Sequence, residues 1–335
     1  MSGPSSDLQR AAHALARARE RIVALEQGRA APVAIVGVGL RLPGDIDSPD
    51  ALWSALGQRR DLTGPVPEDR REELAGIAAA GPGAAHGAWL AGIDHFDAER
   101  FGVAPREAAT MDPQHRLLLE TCLAATERAG LREEELRGSR TGVYVGLCNN
   151  DYALRLLREP GDPRVDASLG TGNCYSMAAG RIAYSFGLTG PAFALDSACA
   201  SSLLAVQLGV QAIRSGECER AIVGGVNLVM SVNPSLAFAR MGVLSPSGRC
   251  RAMDASADGY LRAEGCVVFV LYDLARARAA GRPIVAVIRG CAARQNGAGN
   301  GIVAPNPAAQ EAVIRAALRD ASLAPAEVGM IADRK

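Results

Sequence analysis

"PAFALDSACASSLLAVQLGVQAI" occupies residues 191–213. It reads as a strand, a polar break, a turn of small residues and a helix. The β-like run ends at Leu195, Asp196-Ser197-Ala198 interrupts it, and small residues surround Cys199 as far as Ser202. From 203 to 214 only Gln207, Gln211 and Arg214 are strongly polar, and they fall at i, i+4 and i+7 on one narrow stripe. A helix so apolar around the rest of its circumference is expected to be covered on most sides. That expectation places it in the centre of a layered fold.

Outward from this stretch, strands and helices alternate. "VAIVGV" (33–38), "TGVYVG" (141–146), "RAIVGGVNLV", "GCVVFVLY" and "PIVAVIRG" have the apolar character of buried strands. Ser48-Pro49-Asp50 combines a cap, a proline at the first helical position and an acid for the helix dipole. Asp112-Pro113 opens a second helix, which Gly130 ends. "NPAAQEAVIRAALRDASL" carries apolar residues at 314, 317, 318 and 321, a helical spacing. The order gives an α/β fold with a mostly buried sheet. The Pro-, Gly- and charge-rich stretch 61–92 is expected to be an exposed insertion, 147–172 a loop, and Met330-Ile331 the start of one more strand. With so little chain after that strand, the chain is expected to be incomplete relative to its fold.

Residues 5–28 form a separate helical pattern. Leu8, Leu15 and Ile22 recur every seven residues, with Ala11, Ala18 and Leu25 at the matching offset. Three heptads of this kind fit either a coiled coil or a solvated lead-in helix packed on its own domain. "GRAAP" (28–32) follows as a linker.

The composition excludes several classes. Formal net charge is zero, which leaves no nucleic-acid footprint. Lys335 is the only lysine, so no internal lysine exists for a Schiff base or a phosphate-binding loop. Eight cysteines occur with no C-x-x-C spacing, arguing against zinc and redox motifs and for reduced thiols in a cytoplasmic protein. The polar start "MSGPSSDLQR" has no signal-peptide apolar region, and no apolar run is long enough to cross a membrane. No bound cofactor or metal is expected.

Cys199 has two readings. Free cysteine is among the most buried residue types and often only fills space; Cys122, Cys218, Cys266 and Cys291 are read that way. Cys199, however, follows a strand and precedes an apolar helix, whose free N–H groups and positive end favour a thiolate. Its small neighbours leave room for substrate, and its own N–H could stabilise an oxyanion. Two other motifs receive structural readings. "GVGLRLPG" has Leu42 where a dinucleotide fingerprint needs glycine, so Gly37 and Gly39 are assigned to close backbone packing. Asp258, Arg262 and Glu264 in "DGYLRAEG" are read as a buried charge pair supporting the fold rather than a metal or acid site.

Five segments together carry a resemblance: "VAIVGVGLRLPGDIDSPDALWSAL", "FGVAPREAATMDPQHRLLLE", "GPAFALDSACASSLLAVQLGVQAIRSGECERAIVGGVN", "MGVLSPSGRCRAMDASADGYLRAEG" and "NPAAQEAVIRAALRDASLAPAEV". In this order, over about Ala31 to Val328, the chain resembles the β-ketoacyl synthase (ketosynthase) domain of modular type I polyketide synthases. The resemblance implies a thiolase-like layered fold, α-β-α-β-α, built of two similar halves. Its implied division is an N-terminal helix over 1–30, a first half over 31–280, and the start of a truncated second half over 281–335. The cysteine of "DSACASS", Cys199, is implied as the catalytic acyl-thioester nucleophile. The implied substrates ride on the phosphopantetheine of an acyl carrier protein, and a malonyl-type extender supplies two carbons by decarboxylative condensation. A homodimer is implied, as is docking of an upstream polyketide synthase subunit on the N-terminal helix.

The resemblance also carries a departure. The family places one histidine in an H-G-T-G-T motif after the "APAEV" region and a second histidine with a lysine further on; here "ADRK" follows "APAEVGMI". His115 lies in the "MDPQHR" segment, cannot stand in for either, and is read as structural or surface. Condensation is therefore expected to be impaired in this chain. The alternatives are a non-catalytic remnant or interaction subunit of a polyketide synthase, and a thiolase- or chalcone-synthase-like enzyme using free coenzyme A thioesters.

Overall fold

The structure is a computed structural model that describes residues 31–157, 168–299, 301 and 304–332, together with 13, 15–17 and 19. The heptad pattern over 5–28 therefore lies almost wholly outside the described residues. No described helix is long and apolar enough to cross a membrane.

One mixed sheet of six strands organises the fold. Its strands are β1 (Val33–Arg41), β4 (Thr141–Gly146), β5 (Ala192–Leu195), β6 (Arg220–Asn227), β7 (Gly265–Asp273) and β8 (Ala286–Ile288), in the order β5-β4-β6-β7-β1-β8. A separate two-residue ladder pairs β2 (Gly64–Pro65) with β3 (His86–Gly87). β5, β4 and β6 run parallel, whereas β7 is antiparallel to both β6 and β1, and β8 is antiparallel to β1. The apolar runs recognised in the sequence supply the main strands because their side chains meet helices on both faces.

Helices α1 (Pro49–Gly57), α2 (Pro113–Arg128), α3 (Tyr175–Phe186), α4 (Ser201–Ser215), α5 (Val232–Arg240) and α6 (Pro307–Ala321) surround this sheet, with shorter turns between them. The caps fall where the sequence puts them. Ser48 Oγ accepts from the Ala51 N–H at 3.3 Å, and Asp112 Oδ1 accepts from the Gln114 N–H at 2.8 Å. On one face, α2 and α3 pack Leu117, Leu118, Cys122, Ala125, Ala179 and Ile182 against Val143, Val145, Ile222 and Val268. Gly37 and Gly39 let α2 press onto β1: an added Cβ would lie 2.1 Å from the Ala125 carbonyl oxygen and 2.0 Å from that of Thr121. Close packing, not nucleotide binding, accounts for both glycines.

α4 covers the opposite face, through Ala205, Val210, Ala212 and Ile213. Here the structure departs from expectation. α4 is covered on its sheet side and at its C-terminal end, where Arg214 pairs with Asp320 of α6 at 2.8 Å; Leu203 is 62% exposed and Leu204, Val206 and Leu208 are half-buried. Among the described residues it lies on one side of a three-layer arrangement, and no second sheet packs on its outer face.

Three further expectations need correction. The 61–92 stretch is not an exposed insertion: Leu74, Ile77, Ala84 and Trp89 form a small core with Val229 and Leu244. Residues 147–172 are not simply a loop, because Asp151–Leu156 and the start of Ser168–Asn173 are helical. No strand forms at Met330 and Ile331; both are exposed coil.

Candidate functional site

The parallel trio β5-β4-β6 brings the carboxyl ends of three strands together, the usual place for a site in an open α/β sheet. Cys199 leaves this edge on a short 3-10 turn, Ala198–Ala200, directly before α4. Its thiol is exposed.

The turn is tightly built. Asp196 Oδ1 accepts from the Ala198 N–H at 2.8 Å. Ser201 Oγ accepts from the Ser197 N–H at 2.8 Å and donates to the Ala198 carbonyl at 2.7 Å. Ala198 itself is held at φ +47°, a left-handed conformation that a residue with a Cβ rarely adopts. Strain of this kind persists only where the surroundings over-determine it, and it concentrates at functional sites. The run of small residues in the sequence has its reason here.

Two glycines seat the turn on the sheet. A Cβ on Gly146, the last residue of β4, would lie 2.7 Å from the Ser201 carbonyl carbon and 2.8 Å from Ser201 Cβ. One on Gly225 of β6 would lie 2.8 Å from Ser202 Cβ. The first turn of α4 thus rests directly on strand backbone. Its free N–H groups and positive dipole end lie at the corner that carries Cys199.

Other groups share this rim. Burial raises the Cys148 thiol, and the nearby charges of Asp196 and Cys199 push in the same direction. Burial likewise raises the Tyr260 hydroxyl, with a further contribution from Cys199. Tyr175 responds to burial first, then to Asp196 and Cys148. Arg262 lies beneath, its guanidinium 5.1 Å from the Phe238 ring centre and bonded to Ser235 Oγ at 3.1 Å. Burial lowers its pKa, and Tyr260, Asp151 and Cys148 oppose that shift. Sequence reasoning singled out Cys199 but missed Cys148 and Tyr260. The signal available for Cys148 was its place just past Gly146 on a buried strand.

The charged triplet of "DGYLRAEG" does not converge on one site. Glu264 is buried and pairs with Arg70 at 3.2 Å, while also accepting from the N–H groups of Leu90 at 2.8 Å and Val229 at 2.9 Å. Asp258 accepts from Ser245 Oγ at 2.6 Å. The buried-pair reading holds for Glu264, but its partner comes from residue 70 rather than from its own segment. His115 is buried, and neither ring nitrogen has a hydrogen-bond partner among the described residues. A cleft of about 1150 Å³ lies elsewhere, lined by Arg70, Glu73, Asp151, Arg155 and Met230, and it does not include Cys199. No group of three His, Cys, Asp or Glu side chains among the described residues is arranged to hold a metal.

The arrangement offers an accessible thiol, a helix N-terminus and backbone N–H groups at one corner, a set suited to acyl transfer through a thioester. Residues 30–277 match the family described as beta-ketoacyl synthase, N-terminal domain, and residues 285–333 match beta-ketoacyl synthase, C-terminal domain. Polyketide synthase GfsA of Streptomyces halstedii is 45% identical over 306 residues, covering 90% of this chain and 4% of that protein. Mycoketide-CoA synthase of Mycobacterium tuberculosis is 44% identical over 306 residues, 90% of this chain and 7% of its own. Among solved structures, the oxazolomycin ketosynthase domain OzmH KS7 of Streptomyces albus JA3453 superposes with a TM-score of 0.81 at 38% identity, covering 89% of this chain and 53% of that one. The ketosynthase from module 6 of the bacillaene synthase of Bacillus subtilis 168 gives 0.78 at 33%, covering 87% and 49%. The chain thus spans about half the length of these ketosynthase structures and a small part of the curated synthases. Its α/β sheet and helices match the thiolase-like architecture of those ketosynthases, and the chain belongs to the β-ketoacyl synthase family, of the polyketide synthase type.

Proposed function

We propose that Cys199 is the acyl-accepting nucleophile of a polyketide ketosynthase. The observation that carries this reading is an exposed thiol on a strained turn, between the end of β5 and the start of a fifteen-residue helix. The acyl group arrives as a thioester on the phosphopantetheine of an acyl carrier protein. The Cys199 sulfur attacks its carbonyl carbon, the oxyanion takes hydrogen bonds from backbone N–H groups at the turn, and the pantetheine thiol leaves. In the full reaction, a malonyl-type extender on a second carrier then loses carbon dioxide, and its carbanion attacks the Cys199 thioester.

We infer that these 335 residues alone load an acyl group but condense poorly. The histidines are His13, His86, His95 and His115. His86 bonds Thr63 Oγ1 at 3.1 Å, His95 lies in the open beside Asp94, and His115 is buried. None matches the family's decarboxylation histidines. The same reading divides the chain into a segment 1–30 that receives an upstream synthase subunit, a first half over 31–280, and the opening of a second half over 281–335. It makes the working form a cytoplasmic homodimer, for which the edge strand β5, with Phe193 56% exposed, offers a border that is unpaired among the described residues.

The test is a competition between acyl-carrier protein and the matching acyl-coenzyme A for transfer to the chain, with malonyl-carrier protein added afterwards. The proposal expects carrier-bound acyl groups to be preferred and carbon dioxide release to stay at background. Preference for coenzyme A would move the chain toward the coenzyme A-using relatives, and brisk condensation would remove the second inference.

One observation favours a different role. Phe193 (56% exposed), Leu203 (62% exposed) and Ile314 (60% exposed) present apolar side chains to solvent on three different elements. An interaction subunit would use them against another synthase chain. Sedimentation of the purified chain as a well-behaved monomer would speak against that role.

A further inference from the structure

We propose that Cys148 and Cys199 form a peroxide-responsive disulfide that masks the Cys199 thiol. The masking of an acyl acceptor rests on the function proposed above; the disulfide itself does not.

The placement comes from the sheet. β4 and β5 are parallel neighbours with Gly146 opposite Leu195, and the Leu147 N–H donates to the Leu195 carbonyl at 3.1 Å. The two chains therefore leave the sheet side by side. Gly146 then touches the start of α4, where its added Cβ would lie 2.7 Å from the Ser201 carbonyl carbon. Cys148 is two residues beyond Gly146 and Cys199 two residues before Ser201. The two cysteines thus each lie two residues along the chain from a single close contact. Both are exposed, and Cys199 acts directly on the ionisation of Cys148.

Their surroundings give them different parts. Cys199 stands exposed on the turn that leads into α4, open to a peroxide from solvent. Cys148 is held as a thiol by burial and by Asp196, so Cys199 is the residue oxidised first. The Cys148 side is fixed, because Asn149 Nδ2 donates to Asn227 Oδ1 at 2.9 Å and to the Leu228 carbonyl at 3.1 Å. A disulfide needs the two Cα atoms ~4.4–6.8 Å apart.

The chemistry balances with one hydroperoxide as oxidant. The Cys199 thiolate attacks a peroxide oxygen, the O–O bond breaks, and sulfenic acid forms as hydroxide leaves and takes a proton. The Cys148 sulfur then attacks the Cys199 sulfur, the S–O bond breaks, and the hydroxyl departs with the Cys148 proton as water. Two thiols lose two electrons and two protons, and one hydrogen peroxide becomes two waters. A dithiol reductant reverses the bridge by exchange.

The experiment treats the full chain with hydrogen peroxide, blocks remaining thiols by alkylation and digests with trypsin. Cys148 falls in peptide 141–155 and Cys199 in peptide 182–214, each holding a single cysteine. The expected result is these two peptides joined, lighter than their sum by two hydrogens and separated by dithiothreitol. Cys148→Ser should instead leave a dimedone-reactive sulfenic acid on 182–214 that advances to sulfinic acid. The proposal is overturned if wild-type Cys199 passes to sulfinic acid with Cys148 still alkylated, if Cys199 joins Cys174 or Cys250, or if Cys199 resists oxidation. No acyl donor is present, so the outcome is independent of the acyl-transfer test.

Discussion

Gly146 and Ser201 meet so closely that a single added carbon on Gly146 would lie 2.7 Å from the Ser201 carbonyl carbon. This contact ties the end of β4 to the first turn of α4 and fixes where Cys199 stands. Gly146→Ala should force the turn away from the sheet. The expected cost is about 1–3 kcal/mol by chemical denaturation, with a larger loss of acyl loading than the stability change explains. Unchanged loading in a folded Gly146→Ala variant would show that the contact does not position the thiol.

Ala198 carries the strain of the same turn at φ +47°. Ala198→Gly should keep both the fold and acyl loading, with an unchanged or raised unfolding midpoint. Ala198→Val should lose about 1–2 kcal/mol, because a β-branched residue is a poor fit to left-handed backbone. Equal behaviour of the two variants in thermal unfolding would contradict the strained geometry.

Glu264 accepts from two backbone N–H groups and from Arg70, all buried. Removing Glu264 leaves the Leu90 and Val229 N–H groups without their acceptor and Arg70 paired with Glu73 alone, at 2.6 Å, at a cost of about 1–3 kcal/mol. Glu264→Ala is expected to unfold at much lower urea than wild type. Arg70→Met with Glu264→Leu removes this pair and leaves Glu73 to Arg155, at 2.8 Å, so it should recover only part of the loss.

His115 and Asp112 impose opposite pH dependences. Burial, assisted by Arg181, lowers His115 to about 4 from its ordinary 6.5. Its contribution to stability is present above pH 6.5 and is lost as pH falls toward 4. Burial raises Asp112 to about 6 from 3.8, against its bonds from Gln114. Its contribution is present below pH 3.8 and is lost as pH rises through 6. Each is on the order of 3 kcal/mol, so the two largely cancel across pH 4–6 in the wild type. His115→Phe should therefore become less stable as pH rises through this window, and Asp112→Asn more stable. Parallel pH profiles for all three proteins would contradict the assignment.

Much of the fold was legible because buried strands announce themselves. "TGVYVG" is strand β4 over Thr141–Gly146, and the caps at Ser48 and Asp112 are made by the expected side chains. Gly37 and Gly39 were assigned to close packing because the nucleotide fingerprint was incomplete, and α2 supplies the contact. The coverage of α4 was not legible, since periodicity reports how apolar a helix is and not which chain lies against each face. The buried residues of 61–92 were hidden by Pro- and Gly-rich surroundings. Cys148 escaped notice because its relation to Cys199 arises from strand pairing, which no local spacing encodes. The partner of Glu264 is likewise 194 residues away.

The acyl-transfer role proposed for this corner of the sheet depends on Cys199 accepting the acyl group. The deciding measurement is the intact mass of the purified chain after incubation with an acyl-phosphopantetheine donor, for wild type and for Cys199→Ala. The expected result is one acyl adduct on wild type, released by hydroxylamine and mapped to peptide 182–214, and none on Cys199→Ala. An adduct that persists in folded Cys199→Ala, or its absence from wild type, would contradict it.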